Sequence, residues 1–362
     1  MDYVSEFRDK TLIAPLLAEL KQTLTRPLRL MEVCGTHTMA IFRHGLRAIL
    51  PPEIELISGP GCPVCVTASS HIDGFLDVAE RAGVRVTIFG DLFRVPGSQS
   101  SLARAQAAGA KVEIVYSPMD ALTLAEKHEG EEVVFLAVGF ETTMPLVAAT
   151  ILEAGRRKLA HFSVFSAGKI MPPALHALLA DRELALDGLL CPGHVSTIIG
   201  AEAYEPLVRD YGISCVIAGF EPVDILQAVL LLARQKRDGR AEVENGYARA
   251  VSRQGNNRAR LVMNEVFEPV DTPWRGLGMI KASGMAIRKE FACFDAERKF
   301  AIRLPESIEP KGCLCGEILR GRKKPQACPL FKSRCTPMDP VGPCMVSSEG
   351  TCAAYYRFGE GR

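Results

Sequence analysis

The chain has 362 residues, 48% of them hydrophobic, enough to bury two or three cores. Its formal net charge is +1 and no long basic stretch occurs, which argues against a general nucleic-acid or membrane-surface binder. The opening "MDYVSEFRDK" lacks an apolar signal core and the run "AVLLLA" is too short to span a bilayer, so a soluble, cytoplasmic protein is expected.

Residues 6–24 space their apolar positions helically until Pro27. "LRLMEV" (28–33) reads as a strand, and "TMAIFRHGLRAIL" (38–50) as a helix closed by Pro51-Pro52. "EIELISG" is a second strand, followed by "PGCPVCV"; the helix "HIDGFLDVAERAG" leads to the strand "VRVTIFG", and "SLARAQAAGA" and "KVEIVYS" add one more helix and strand. Beyond these, "EVVFLAVGF", "HFSVFS", "LDGLLC" and "SCVIAGF" read as strands alternating with helical segments, the last being "VDILQAVLLLARQKR". Such alternation predicts parallel sheets covered on both faces. Cys62-Pro63 is followed by a helix, a strand and Gly90; Cys191-Pro192 is followed by a helix, a strand and Gly219, with a Cys-to-Gly separation of 28 in both. "GFET" at 139–142 also echoes "GFEP" at 219–222. These echoes predict two similar doubly wound α/β domains, over 1–125 and 126–240. From Pro305 on, Pro, Gly, Lys and Cys dominate, so 241–362 is expected to form a cysteine-rich C-terminal domain that a metal centre would staple.

The twelve cysteines are unevenly placed. Cys34 stands where a strand gives way to a helix, the edge of an α/β sheet where ligands bind. Helix N–H groups and the dipole would stabilise a thiolate there, with Thr36 or Thr38 as cap and His37 able to take a proton. Cys62 and Cys65 form a C-x-x-C pair at the same kind of position, fit to close a disulfide or to grip a soft metal. Adjacent strands would bring all three sulfurs to one site. Three thiols fall short of a closed zinc site, so they suit a centre completed by a partner, or one metal-binding thiol beside a redox pair.

Cys191 and His194 ("CPGHVSTIIG") occupy another strand-to-helix turn. Glu141, Thr142 and Thr143 ("GFETT") read either as a helix N-terminus or as a polar wall of the same cleft. "GDLFRVPGS" similarly offers Asp91 and Arg94. Cys215 and Cys293 are expected in the core, and His44, His71, His128, His161 and His176 as solvated or satisfied histidines. No P-loop and no C-x-x-x-C-x-x-C run is present, which weakens ATP use and radical chemistry by this chain.

"MEVCGTHTMAI", "SGPGCPVCV", "FGDLFRVPGS", "VGFETT", "CPGHVSTIIG", "GFEPVDIL" and the tail "GCLCGEILRG…CPLFKSRCTPMDPVGPCMVSSEGTCAAYY" closely resemble the HypD family of [NiFe]-hydrogenase maturation factors, from residue 28 to near the end. The resemblance implies a heterodimer with the small chaperone HypC. On it an Fe(CN)2CO unit is assembled, with cyanide delivered by HypE. It implies that Cys34 is the iron ligand, that Cys62 and Cys65 are a redox-active pair beside it, and that C-terminal cysteines carry a [4Fe-4S] cluster. Six cysteines compete for the four cluster positions. Cys313, Cys328, Cys335 and Cys352, spaced x14, x6 and x16, are preferred, Cys315 and Cys344 are the rivals, and zinc is the physical alternative. A free-standing thiol-disulfide oxidoreductase using Cys62 and Cys65 is the alternative function.

Overall fold

The runs of alternating large and small apolar residues form strands because both faces of each are buried. The computed structural model describes residues 6–181 and 183–359, so part of the charged N-terminal stretch lies outside the described residues. In chain order the strands are β1 (Leu28–Glu32), β2 (Ile54–Ser58), β3 (Val84–Ile88), β4 (Lys111–Ile114), β5 (Glu132–Ala137), β6 (Phe162–Ser166), β7 (Gly188–Pro192), β8 (Ser214–Ala218), β9 (Val243–Asn245), β10 (Phe267–Trp274) and β11 (Gly278–Ile287). One parallel sheet has the order β2-β1-β7-β8-β9 and the other β4-β3-β5-β6, while β10 and β11 make an antiparallel ribbon.

The two parallel sheets are as expected, but their composition is not the expected division at residue 125. The first sheet joins strands from residues 28–58 with strands from 188–245, pairing Leu30 with Gly188 and Met31 with Leu189. The expected boundary falls inside the second sheet, whose β3 pairs with both β4 and β5. After β2 the helix Ser69–Ala79 carries the chain into the second sheet, and after β6 the segment with helix Met171–Leu179 returns it. The echo between Cys62 and Cys191 therefore does not mark equivalent units. The strand after Cys62 enters the other sheet, whereas the strand after Cys191 pairs directly with its own. Periodicity reports that a strand is buried; it carries no information about its neighbours.

Alternation along β1 shows how the first sheet is covered. Leu28 and Leu30 face one core with Ile225, Val229 and Leu232 of the helix Pro222–Arg237. Met31 and Val33 face the other, which contains Cys315, Ile318 and Leu319. The cysteine-rich tail thus borrows its apolar partner from the first sheet. It is not an isolated domain over 241–362, since β9 also pairs with β8 and the helix Thr351–Phe358 packs on the helix Gly35–Arg43. Among the described residues no helix is long and apolar enough to cross a membrane.

Candidate functional site

At the carboxyl ends of β1 and β2 two turns are pressed together. The Gly35 N–H donates to the Gly61 carbonyl at 3.0 Å. A methyl on Gly61 would lie 2.2 Å from the Cys34 nitrogen and 2.3 Å from its Cα, so only glycine permits this approach. The lone thiol and the C-x-x-C turn are thereby neighbours, at the point where the order of the first sheet reverses between β1 and β7. Cys62 and Cys65 are paired as a disulfide with Cα atoms 5.2 Å apart.

Cys34 is the N-cap of the helix Gly35–Arg43 and makes no side-chain capping bond. Backbone N–H groups of His37 and Thr36 favour its thiolate, as the helix position suggests, but burial and the Glu349 carboxylate outweigh them and push the thiol up to about 12. Without metal Cys34 is therefore a protonated thiol, not the activated thiolate its helix position predicts. Neither threonine caps the helix: Thr36 donates to Glu349 Oε1 at 2.5 Å, and Thr38 contacts Glu32 Oε1 and the Cys34 carbonyl. His37 is fully buried, and its Nε2–H donates to the carbonyls of Ala218 and Gly219. Burial pulls it down to about 4, so the ring is neutral and Nδ1, which has no partner, keeps its lone pair.

A strap from the C-terminal segment closes over these turns. The Ser347 hydroxyl lies 3.3 Å from the Cys62 sulfur, Ser348 Oγ donates to Asp91 at 2.9 Å, and Glu349 takes the Thr36 bond. Asp91 thus ties the loop after β3 to the strap, and Arg94 donates to the Pro337 carbonyl nearby. Glu349 has no signal in the sequence, because "SSEG" reads as an ordinary loop and meets Cys34 only through tertiary packing.

His194 is exposed and stacks on Phe220 with centroids 4.0 Å apart, while His37 meets the same ring at 4.8 Å. It therefore shares an edge of the sheet with His37. Thr142 is exposed, and Thr143, the N-cap of the helix Met144–Arg157, makes no side-chain capping bond. Thr143 lines a cavity of about 300 Å³ with Pro63 and Val64 of the C-x-x-C turn. Glu141 is turned inward and accepts from the Met171 N–H at the start of another helix, with Oε2 unpartnered.

Burial raises the Glu141 carboxyl to about 7. The folded state therefore keeps a proton that the unfolded chain releases above pH about 4.5, and stability falls as pH rises from there to about 7. Glu141→Gln is expected to flatten that fall by up to about 1.4 kcal/mol per pH unit, read from urea midpoints at pH 5, 6 and 7. Glu297, likewise raised to about 7 by burial, keeps part of the slope. Equal slopes in the two proteins would refute the assignment.

Nine cysteines share one core: Cys62, Cys65, Cys191, Cys215 and, from the tail, Cys315, Cys328, Cys335, Cys344 and Cys352, with Cys313 packed against it. The Cys315 and Cys344 sulfurs are 3.0 Å apart. Cys315 also hydrogen-bonds Cys313, Cys344 also hydrogen-bonds Cys352, Cys328 lies close enough to act on both Cys313 and Cys335, and the Val341 N–H donates to Cys335 Sγ at 3.3 Å. Among the described residues no three His, Cys, Asp or Glu side chains stand as a preformed metal cage. Two expectations fail elsewhere. Cys293 is exposed rather than in the core, because "FACF" lies in the short 3-10 helix Lys289–Phe294. His71 is buried with Nδ1 unpartnered, because its helix Ser69–Ala79 runs through the interior between the sheets.

Fold and site together define a thiol-centred α/β protein, with a lone cysteine and a C-x-x-C pair at one sheet edge and a six-cysteine lobe behind them. The family model described as "HypD: Hydrogenase formation hypA family" matches residues 11–359. The chain is 48% identical to the hydrogenase maturation factor HypD of Azotobacter vinelandii, covering 100% of this chain and 98% of that protein. It is 47% identical to the HypD of Rhodobacter capsulatus, over 100% and 99%. A putative hydrogenase expression/formation protein of Methanocaldococcus jannaschii is 42% identical, over 97% and 98%. The chain belongs to the HypD family of hydrogenase maturation factors.

Proposed function

We propose that this chain, with a HypC-type chaperone, is the scaffold on which iron acquires its cyanide and CO ligands, cyanide arriving from a HypE-type donor. The observation that supports the proposal is the Gly35–Gly61 contact, by which the turn that carries Cys34 abuts the turn that carries Cys62 and Cys65. Iron is the cargo. Cys34 supplies a thiolate, whose donation raises electron density on iron and favours back-bonding to cyanide and CO. Since the metal-free thiol is protonated, loading iron displaces a proton, and the Glu349 carboxylate beside it is the acceptor. The Cys62/Cys65 dithiol releases two electrons and two protons on closing to a disulfide. Thr143, Asp91 and the cavity beside Pro63 line the approach to the pair.

The tail fits a [4Fe-4S] cluster by its donor chemistry. Cys313, Cys328, Cys335 and Cys352 are four thiols in one lobe, and an amide N–H already points at one sulfur; Cys315 sits beside Cys313 and Cys344, and Cys344 beside Cys352, so these two remain the rival ligands. Those four would hold the cluster, which supplies one-electron chemistry when bound. Zinc accepts the same four thiolates, and iron and acid-labile sulfide analysis with a visible spectrum distinguishes the two.

The test is infrared spectroscopy of the chain co-purified with its small partner, where bands of iron-bound cyanide and CO are expected. Replacing both Cys62 and Cys65 by Ala is expected to abolish those bands. Undiminished bands would remove the redox role of the pair. The disulfide itself also favours a second reading, a thiol-disulfide oxidoreductase. Partner-free turnover of a small disulfide substrate would select it.

A further inference from the structure

Arg275 is a buried cation that none of the chemistry above uses. It lies in the turn between β10 and β11, and its side chain is 1% exposed. Its backbone N–H donates to the Val66 carbonyl at 2.8 Å and Nε donates to the Thr67 carbonyl at 3.0 Å, directly after the C-x-x-C pair. On the other side Gly276 abuts the residue after Cys315: a methyl there would lie 2.4 Å from Gly316 Cα. The turn is therefore wedged between the two cysteine sites. Nη1 pairs with Glu309 Oε2 at 2.6 Å, but that carboxylate is 39% exposed and water screens it. Nη2 is buried with no partner.

A guanidinium cannot shed its charge to escape burial. The buried lysine packed against the same ribbon, Lys169, contrasts with it. Its Nζ donates to the Pro273 carbonyl, and burial lowers it to about 7, so it can neutralise. Arg275 brings a permanent and incompletely paired positive charge into a low-dielectric interior, an arrangement that is costly unless something negative sits nearby. Trp274 and Ile280, on either side of its turn, share one core with Cys315, Cys328, Cys335, Cys344 and Cys352, with Leu277 and Cys313 packed against it.

We propose that Arg275 is a positioning residue that sets the reduction potential of the C-terminal cysteine centre, its fixed charge stabilising the form that carries one more electron. This rests on the reading that Cys313, Cys328, Cys335 and Cys352 hold a redox centre. No bond is made or broken in the step: the centre gains one electron from an external reductant, dithionite in the test.

Wild type, Arg275→Gln, Arg275→Lys and Glu309→Gln are to be compared as full chains. Iron and acid-labile sulfide are measured first, then a potentiometric titration is followed by electron paramagnetic resonance. With the centre loaded, Arg275→Gln is expected to lower the reduced-to-oxidised ratio about tenfold at a fixed potential, or 59 mV for one electron. Arg275→Lys is expected to restore most of that loss, and Glu309→Gln, which leaves the arginine unopposed, to shift the ratio the other way. If Arg275→Gln does not fold, Arg275→Lys and Glu309→Gln carry the test. A loaded centre with the potential unmoved in the variants that fold would overturn the role of Arg275 alone. A wild-type chain that carries no iron and sulfide would overturn both this role and the reading of the tail.

Discussion

Cys34→Ala is expected to abolish iron retention by the purified complex, with no bands of iron-bound cyanide or CO in its infrared spectrum. Loss of outer-shell partners alone typically costs about 10–100-fold in metal affinity, so loss of the ligand itself is expected to exceed about 100-fold. The side chain is small and 6% exposed, and its removal deletes no capping bond, so the stability cost is expected to be about 1 kcal/mol. Circular dichroism and thermal unfolding close to wild type would separate loss of the ligand from loss of the fold. A folded Cys34→Ala protein that still carries the Fe(CN)2CO bands would show that iron is held elsewhere.

Gly61→Ala is expected to be the most destabilising single-methyl change near the site. The added carbon would meet Cys34 N at 2.2 Å, Cys34 Cα at 2.3 Å and the Val33 carbonyl carbon at 2.4 Å. All three are backbone atoms, so no side chain can rotate away. Relief requires the C-x-x-C turn to lift off the end of β1, breaking the Gly35–Gly61 hydrogen bond. The expected loss is roughly 3 kcal/mol, at the upper end of overpacking effects, seen as a fall of several degrees in Tm. Gly130→Ala, where the new methyl meets nothing within 4 Å, is the control and is expected to stay within about 1 kcal/mol of wild type. A Gly61→Ala protein as stable as that control would contradict the close seating of Cys34 against the C-x-x-C turn.

Placing the lone thiol and the thiol pair at adjoining turns has a chemical consequence. Cys34 is protonated without metal because burial outweighs the helix N–H groups, so the site does not present a free nucleophilic thiolate. Ser347 at the Cys62 sulfur and Glu349 at Thr36 further cover it. The strap also joins the site to the cysteine lobe, since Cys344 and Cys352 bracket Ser347 and Glu349 in the chain. The Cys34 turn and the tail cysteines therefore belong to one connected piece of structure.

Much of the site was legible from local chemistry. Cys34, Cys62 and Cys65 announce themselves because strand-to-helix turns with glycine and proline expose backbone N–H groups. Glu141 was visible as a candidate, but its inward turn toward Met171 was not, since that bond links residues 30 apart. Glu349 and Arg275 were invisible for the same reason. Each acquires its role from a contact made across the fold, Glu349 with Thr36 and Arg275 with Thr67 and Glu309. Cys293 misled because a short apolar run reads as buried, whereas here it forms a short 3-10 helix that leaves the thiol exposed.

By itself the order of residues determined that the segments of β1 to β8 are strands, that they run parallel, and which thiols stand at strand ends, while β9 and the antiparallel β10–β11 ribbon went unread. All of these follow from side-chain period and turn chemistry, which act over a few residues. Only the tertiary structure decided that β1 and β2 join β7, β8 and β9, that the cysteine tail completes the first sheet's core, and that Glu349 meets Thr36 beside Cys34 and Arg275 meets Thr67 after the C-x-x-C pair. Pairing between strands more than a hundred residues apart depends on which buried faces fit together, and no local pattern encodes that choice.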